Sequence, residues 1–222
     1  MQLLTQNSKM KKSSSNGLTV LNWTIPAFQS STGFKTCPNA GSCAAGCYAR
    51  SGTYRFSNVV AAHEAKLVLS QGETFVLDML NEIDSWLLKR NTKTIKIRIH
   101  DAGDFYSLEY LEKWCKIMSH YDNNPKVSFY AYTKQVKMIK SYGKLPSNFT
   151  VIFSLGGKQD SMINQDTDRH SKVFESLKEL KAAGYIDSTQ DDMIAATHKN
   201  PKIGLVYHGA KNYDNTLWDK VS

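Results

Sequence analysis

The feature that most limits the folds open to this chain is the run Lys93–His100, in which Thr94, Lys96, Arg98 and His100 alternate with Ile95, Ile97 and Ile99 before Asp101-Ala102-Gly103-Asp104 ends it. Apolar residues at every second position mark a strand with one face against a core. Further strand-like runs lie at Leu18–Ile25, stopped by Pro26, and at Lys126–Lys134, Phe149–Leu155 and Lys202–His208, with a weaker one at Met193–Thr197. Between them, Phe56–Ser70, Glu73–Arg90, Leu108–Tyr121, Val136–Tyr142 and Ser171–Ala183 carry helical spacing, the last stopped by Gly184. Strands alternating with helices over the whole length predict an α/β fold with a mostly parallel sheet, either open and doubly wound or a full or partial barrel. In either architecture ligands gather beyond the C-terminal strand ends. That rule places the loop after the first strand, His100 to Asp104, Tyr132 to Lys134, Ser154 to Gly157 and Tyr207 to His208 on one rim.

A chain of 222 residues with 41% apolar and 22% charged side chains can bury a core as one domain. It is neither a disulfide-stapled miniprotein nor a mainly disordered chain. Residues 1–17 are polar, with Lys9, Lys11 and Lys12, and read as a mobile basic arm ahead of an α/β domain over residues 18–222. No window approaches the roughly 18 uninterrupted apolar residues of a membrane span, and no apolar stretch follows the lysines to make a signal peptide. The expected location is therefore the cytoplasm, away from membranes. Subtracting 20 acidic from 28 basic residues leaves +8, which suits contact with nucleic acid but does not require it.

Cysteine placement says more. Cys37, Cys43 and Cys47 fall within eleven residues, in a loop over residues 34–54, whereas Cys115 sits with Leu111, Trp114 and Met118 on one side of a helix as a buried, inert thiol. In a reducing compartment such a cluster signals metal binding or redox chemistry rather than disulfides. The spacing is C-x5-C-x3-C, with small residues in nearly every gap, so backbone can wrap a bulky ligand and direct N–H groups at it. Zinc usually shows a C-x2-C pair and a fourth ligand, and none lies nearby. Three thiolates without a fourth suggest a [4Fe-4S] cluster with one open iron; a structural zinc and free thiols are the alternatives.

The segment Phe34–Tyr54, the strand end His100-Asp101-Ala102-Gly103-Asp104-Phe105 and the strand Phe129–Lys134 together resemble the phage "gene product eighty-eight" family, whose hallmark is a CP-x-A-x2-C-x3-CYA loop. More remotely, a cysteine loop after the first strand of an α/β chain resembles radical SAM enzymes, which hold a [4Fe-4S] cluster with C-x3-C-x2-C and an aromatic beside the last cysteine. Both gaps are longer here. The second resemblance implies a partial (β/α) barrel and S-adenosylmethionine at the open iron, with electron transfer into its sulfonium. It aligns Gly103-Asp104 with the element that receives the methionine amino group, and more weakly Asp101.

The expected site is thus Cys37, Cys43 and Cys47 as metal ligands, with Tyr48, His100, Asp101, Asp104, Tyr132 and Ser154 facing the cofactor from the rim. Tyr48 would line an adenine or shield the cluster from water. His100 alternates to the face of Arg98 and Lys96, and Tyr130 and Tyr132 share a strand face as core or stacking platform. Three functions compete. One is a radical SAM-like enzyme acting on an unidentified small-molecule or macromolecular substrate and drawing on a host electron donor, in the host cytoplasm if phage-encoded. Another is a cluster or zinc protein that binds nucleic acid or a protein partner, and the third is electron transfer or sensing without SAM. No phosphate-loop, dinucleotide, H-E-x-x-H or G-x-S-x-G motif occurs.

Overall fold

The computed structural model describes residues 1–15, 17–89 and 93–207. Their strands are β1 (Leu18–Trp23), β2 (Thr94–Ile99), β3 (Val127–Thr133), β4 (Phe149–Ser154), β5 (His170–Phe174), β6 (Ile186–Asp187) and β7 (Lys202–Val206). They form one sheet in the order β1-β2-β3-β4-β5-β7-β6, every neighbouring pair parallel, which curls into a half-barrel. The helices are α1 (Ser8–Ser13), α2 (Ser57–Gln71), α3 (Phe75–Leu87), α4 (Leu108–His120), α5 (Val136–Ser141), α6 (Leu177–Ala182) and α7 (Asp192–Thr197). No helix among the described residues is long and apolar enough to cross a membrane.

The alternation in β2 decides which way the sheet faces. Ile95, Ile97 and Ile99 are buried on the convex side, in register with Val127, Phe129 and Ala131 of β3, beneath apolar residues of α2 to α5 such as Phe75, Met79, Leu111 and Trp114. Burying one such side chain contributes roughly 1.5–3 kcal/mol, so turning β2 over would forfeit several such terms at once. On the concave side Val20, Tyr130, Ile152 and Ile203 pack against Met10 of α1 and Ala195 and Ala196 of α7. These two helices plug part of the barrel interior, and Asn7, Lys9 and Asp192 at their starts reach a cavity at the strand C-terminal ends.

The arm reading is corrected by this packing. Leu3, Leu4 and Met10 are buried, and Thr5 and Asn22 exchange both backbone hydrogen bonds at 3.0 and 2.8 Å, extending the β1 edge. Asn7 caps α1 by accepting the Met10 N–H at 2.9 Å. Three apolar residues are too few for a periodic signal, yet each fills a slot that the sheet leaves open. Two further readings change. Over His170–Ala183 the chain forms β5 before α6, because the alternation of buried Ser171 and half-buried Val173 around an exposed Lys172 serves a strand, and Ser176 caps the shorter helix through the Glu179 N–H. Met193–Thr197 lies in α7 rather than in a strand, started by Asp191, whose side chain accepts the Met193 N–H. The short β6 has no counterpart in the sequence reading. His208, expected to end the last strand, lies outside the described residues.

Candidate functional site

The loop between β1 and α2 arches over the strand ends and is held by its own backbone. Thr36 and Cys37 donate N–H bonds to the Phe28 carbonyl, and the Asp104 N–H donates to the Thr36 carbonyl at 3.1 Å. Further on, Gly41 and Cys43 both donate to the Gly156 carbonyl at 3.2 Å, and Lys158 donates to that of Asn39 at 3.0 Å. The loop therefore reaches from the end of β1 to the end of β4. Glycine is required at the crossing, since a Cβ on Gly41 would lie 2.9 Å from the Gly156 oxygen and one on Gly157 would lie 3.1 Å from that of Asn39. The Gly156-Gly157 pair serves this backbone approach.

Beneath the loop lies a cavity of about 500 Å³. Cys37, Cys43 and Cys47 line it together with Tyr48, Asp101, Asp104, Tyr132 and Ser154, so the structure brings these expected site residues to one place. His100 also borders it. The sequence reading did not anticipate Asn7, Lys9 and Asp192, which come from the plug helices and their flanks, nor Tyr54. The signals that could have found three of them are the helix starts: Asn7 and Asp191 are both N-cap residues, Asp191 ahead of the apolar run Met193–Ala196 and Asn7 three residues before Met10.

All four cysteines are free. The Phe28 N–H points at the Cys37 sulfur at 3.4 Å. Burial, reinforced by the Asp104 carboxylate, pushes the Cys37 thiol up to about 12. Burial also raises Cys47, opposed by the Ala49 N–H and by the cations Lys134 and Arg50. Cys37 and Cys47 are therefore protonated at neutral pH unless a metal supplies positive charge. Among the described residues no group of three or more His, Cys, Asp or Glu side chains is gathered so as to hold a metal ion. Cys115 is buried on α4, in the convex-side core.

The acids at the end of β2 are organisers. Asp101 accepts from Asn7 Nδ2 at 3.1 Å and from the Tyr54 hydroxyl, and lies 3.3 Å from the Arg98 guanidinium, while the Tyr48 hydroxyl donates to its backbone carbonyl. The chain just after Cys47 is thereby tied to β2 and to α1. Tyr48 keeps its ring half exposed at the rim even though its hydroxyl is engaged. Asp104 accepts from Thr133 Oγ1 at 2.6 Å, the Phe105 N–H at 2.8 Å and the Lys134 N–H at 2.9 Å, stitching β2 to β3; burial raises its pKa against these bonds. With three of about four acceptor positions occupied, Asp104 has little capacity left for a ligand ammonium. Gly103 before it has φ +85°, and a Cβ there would meet Ile25 Cγ1 at 2.2 Å.

His100 does not follow the alternation of β2. Its φ of +69° turns the ring into the helical layer, edge-on to Phe105 with centroids 4.7 Å apart and with Nε2 3.0 Å from the Tyr110 hydroxyl. Burial, then the Arg98 charge, pushes it down to about 3, so it is neutral. The expectation that its side chain shares the face of Arg98 is corrected: the ring is a packing element. The two tyrosines of β3 divide the roles expected of them, Tyr130 packing in the inner core with its hydroxyl 3.0 Å from Asp192 and Tyr132 forming cavity wall under the Arg98 guanidinium. Lys134 donates to Ser154 Oγ at 2.7 Å and to the Ser154 and Leu155 carbonyls at 3.1 and 3.3 Å. At the floor, Asp192 pairs with Arg98 at 2.9 Å and Lys9 at 2.5 Å. Burial pushes Asp192 up, but these cations outweigh it and hold the carboxyl below its usual range.

The family model described as gene product 88 matches residues 1–217. No curated protein and no solved structure matches the chain.

Proposed function

Since the chain belongs to the gene product 88 family, we propose that its members use the loop cysteines to hold an iron-sulfur cluster inside the half-barrel, and that this chain is an enzyme of the radical SAM kind. The observation that carries the reading is the convergence of three thiols and the C-terminal ends of β2, β3 and β4 on one cavity. The loop offers a cluster what it needs: small residues, a backbone N–H on the Cys37 sulfur, and Lys134 and Arg50 beside Cys47 to favour its thiolate. A single zinc usually takes four protein donors, and the loop offers three cysteines, whereas a four-iron cluster takes three thiolates on three irons and leaves the fourth open.

Bound there, a cluster with one iron free of protein ligands supplies single electrons to a sulfonium such as that of S-adenosylmethionine. The chain's own residues bind and enclose. Asp101 clamps Tyr48 and Tyr54 so that the backbone following Cys47 is fixed, and Asp104 fixes the rim between β2 and β3. Tyr132 and the half-exposed Tyr48 offer flat apolar surface for an adenine. The plug of α1 and α7 closes the inner end against water. The place of action is a reducing cytoplasm, where the cysteines stay unpaired.

The test is electron paramagnetic resonance of anaerobically purified, dithionite-reduced protein with and without S-adenosylmethionine. A cluster signal that shifts on addition is expected. A cluster signal that does not respond would remove SAM and leave electron transfer, and a colourless zinc protein would overturn the reading.

A further inference from the structure

From Pro26 to His63 the chain holds three cations, Lys35, Arg50 and Arg55, and no carboxylate. Three cations bond within or onto the cysteine loop and a fourth, Lys134, lies beside Cys47; each donates to neutral oxygens, and Lys35 and Arg50 also lie over the Phe28 ring. Lys35 donates to Gln29 Oε1 at 2.7 Å, Arg50 to the Ala44 carbonyl at 2.7 Å, Lys158 to the Pro38 carbonyl at 3.2 Å, and Lys134 to Ser154 and Leu155. Among the described residues none of the four has a carboxylate within salt-bridge distance. The carboxylates against the loop hold donors other than these cations: Glu64 accepts the Ser31 N–H, Asp160 the N–H groups of Gly156 and Gly157, Asp101 the Tyr54 hydroxyl and Asn7, and Asp104 the Thr133 hydroxyl and the N–H groups of Phe105 and Lys134. The cations are also spread out. The loop packs on the β2 side through Phe34 against Tyr106, with Lys35 following it, whereas Lys158 lies beyond β4, two strand spacings or about 10 Å along the sheet.

A rim of unpaired positive charge this wide exceeds what one carboxylate or phosphate neutralises. It fits a chain of phosphates. The cavity that opens inside the rim has the size of a pocket for one small ligand, too narrow for a duplex to enter, and Phe28 and the half-exposed Tyr48 line it as apolar surface for an unpaired base. A flat acidic protein face would meet the charges but leave the cavity unused. We propose that the substrate is a single nucleic-acid strand, whose phosphates track Lys35, Arg50 and Lys158 across the mouth of the cavity and present one unpaired nucleotide to it. This rests on the functional reading only in taking the cavity as the reactive site.

The experiment is fluorescence anisotropy with a fluorescein-labelled single-stranded oligonucleotide, as DNA and as RNA, over a salt series. It compares wild type, the exposed-residue variant Lys35→Gln/Arg50→Gln/Lys158→Gln, and Cys43→Ala, with metal content measured on each sample. Wild type should bind one of the two strands more tightly than the matching duplex. The triple variant should bind more weakly, with a log–log salt slope shallower by about 2, since three lost phosphate contacts remove roughly 0.7 each. Equal affinity and slope in the triple variant, preference for duplex, or no binding at low salt would overturn the proposal. Binding that persists in Cys43→Ala supports it even where the metal is lost, and metal-loaded protein that binds no strand sinks it alone.

Discussion

Replacing Asp192 by Ala perturbs the charge that holds the plug to the sheet. Asp192 is fully buried and is met by Arg98 at 2.9 Å, Lys9 at 2.5 Å and the Tyr130 hydroxyl at 3.0 Å. Removing one partner of a buried pair costs about 3–5 kcal/mol, because the other charge is left in a poorly solvating site. Two facts place this case at the low end, about 3 kcal/mol. Arg98 keeps Asp101 at 3.3 Å, and the Lys9 side chain, 26% exposed, can regain water. For a chain of this size the loss corresponds to a melting temperature lower by roughly 6–12 °C. The assay is urea and thermal unfolding of Asp192→Ala, Arg98→Met and the double variant. The double variant should cost less than the sum of the singles by at least about 1 kcal/mol, since it leaves no orphaned guanidinium. Because the folded carboxyl is held below its unfolded value of about 3.9, its contribution is present above that pH and is lost as pH falls through the folded pKa. The difference between wild type and Asp192→Ala should therefore shrink in strong acid. A loss under about 1 kcal/mol, or strict additivity, would refute the idea that this ion pair fastens the plug.

Deleting residues 1–13 removes Leu3, Leu4 and Met10 from the core, an upper estimate of about 5–9 kcal/mol, and should leave the protein insoluble or without a cooperative transition; a native-like melt of the truncated chain would restore the mobile arm. Gly103→Ala should cost at least about 2 kcal/mol more than Gly143→Ala in urea unfolding, since both carry positive φ but only Gly103 faces Ile25 while Gly143 faces open space. His100 is neutral in the fold down to about pH 3, so below about 6.5 the unfolded chain takes up a proton that the folded one refuses and stability drops as pH falls. His100→Asn, which tolerates the left-handed backbone, should flatten the stability profile between pH 6 and 4 by up to about 1.4 kcal/mol per unit, and an unchanged slope would place the titration elsewhere.

Much of this architecture was legible because its cause is local. The period of two in β2 and the small-residue gaps around Cys37, Cys43 and Cys47 announce a buried strand face and a tightly wrapped loop, and strand-end placement assembles Asp101, Asp104, Tyr132 and Ser154 around the cavity, with Tyr48 brought by its place beside Cys47. What escaped was decided by tertiary contact. The role of residues 1–13 depends on a concave face that exists only once the sheet has curled. His100 leaves the pattern of its strand through one backbone angle, which Phe105 and Tyr110 stabilise from positions after the strand. The segments at β5 and α7 have helical and strand patterns too short to tell apart by period, and only the capping residues Ser176 and Asp191 carried the answer.

The account turns on whether the three loop thiols hold a cluster, and metal analysis of matched variants tests that most directly. Iron, acid-labile sulfide and zinc are measured on anaerobically purified wild type, Cys43→Ala and Cys115→Ala. The account predicts iron and sulfide in equal amounts in wild type, retained in Cys115→Ala because that thiol lies in the convex-side core, and lost in Cys43→Ala. Wild type with one zinc and no sulfide, or iron that survives the loss of Cys43, would contradict it.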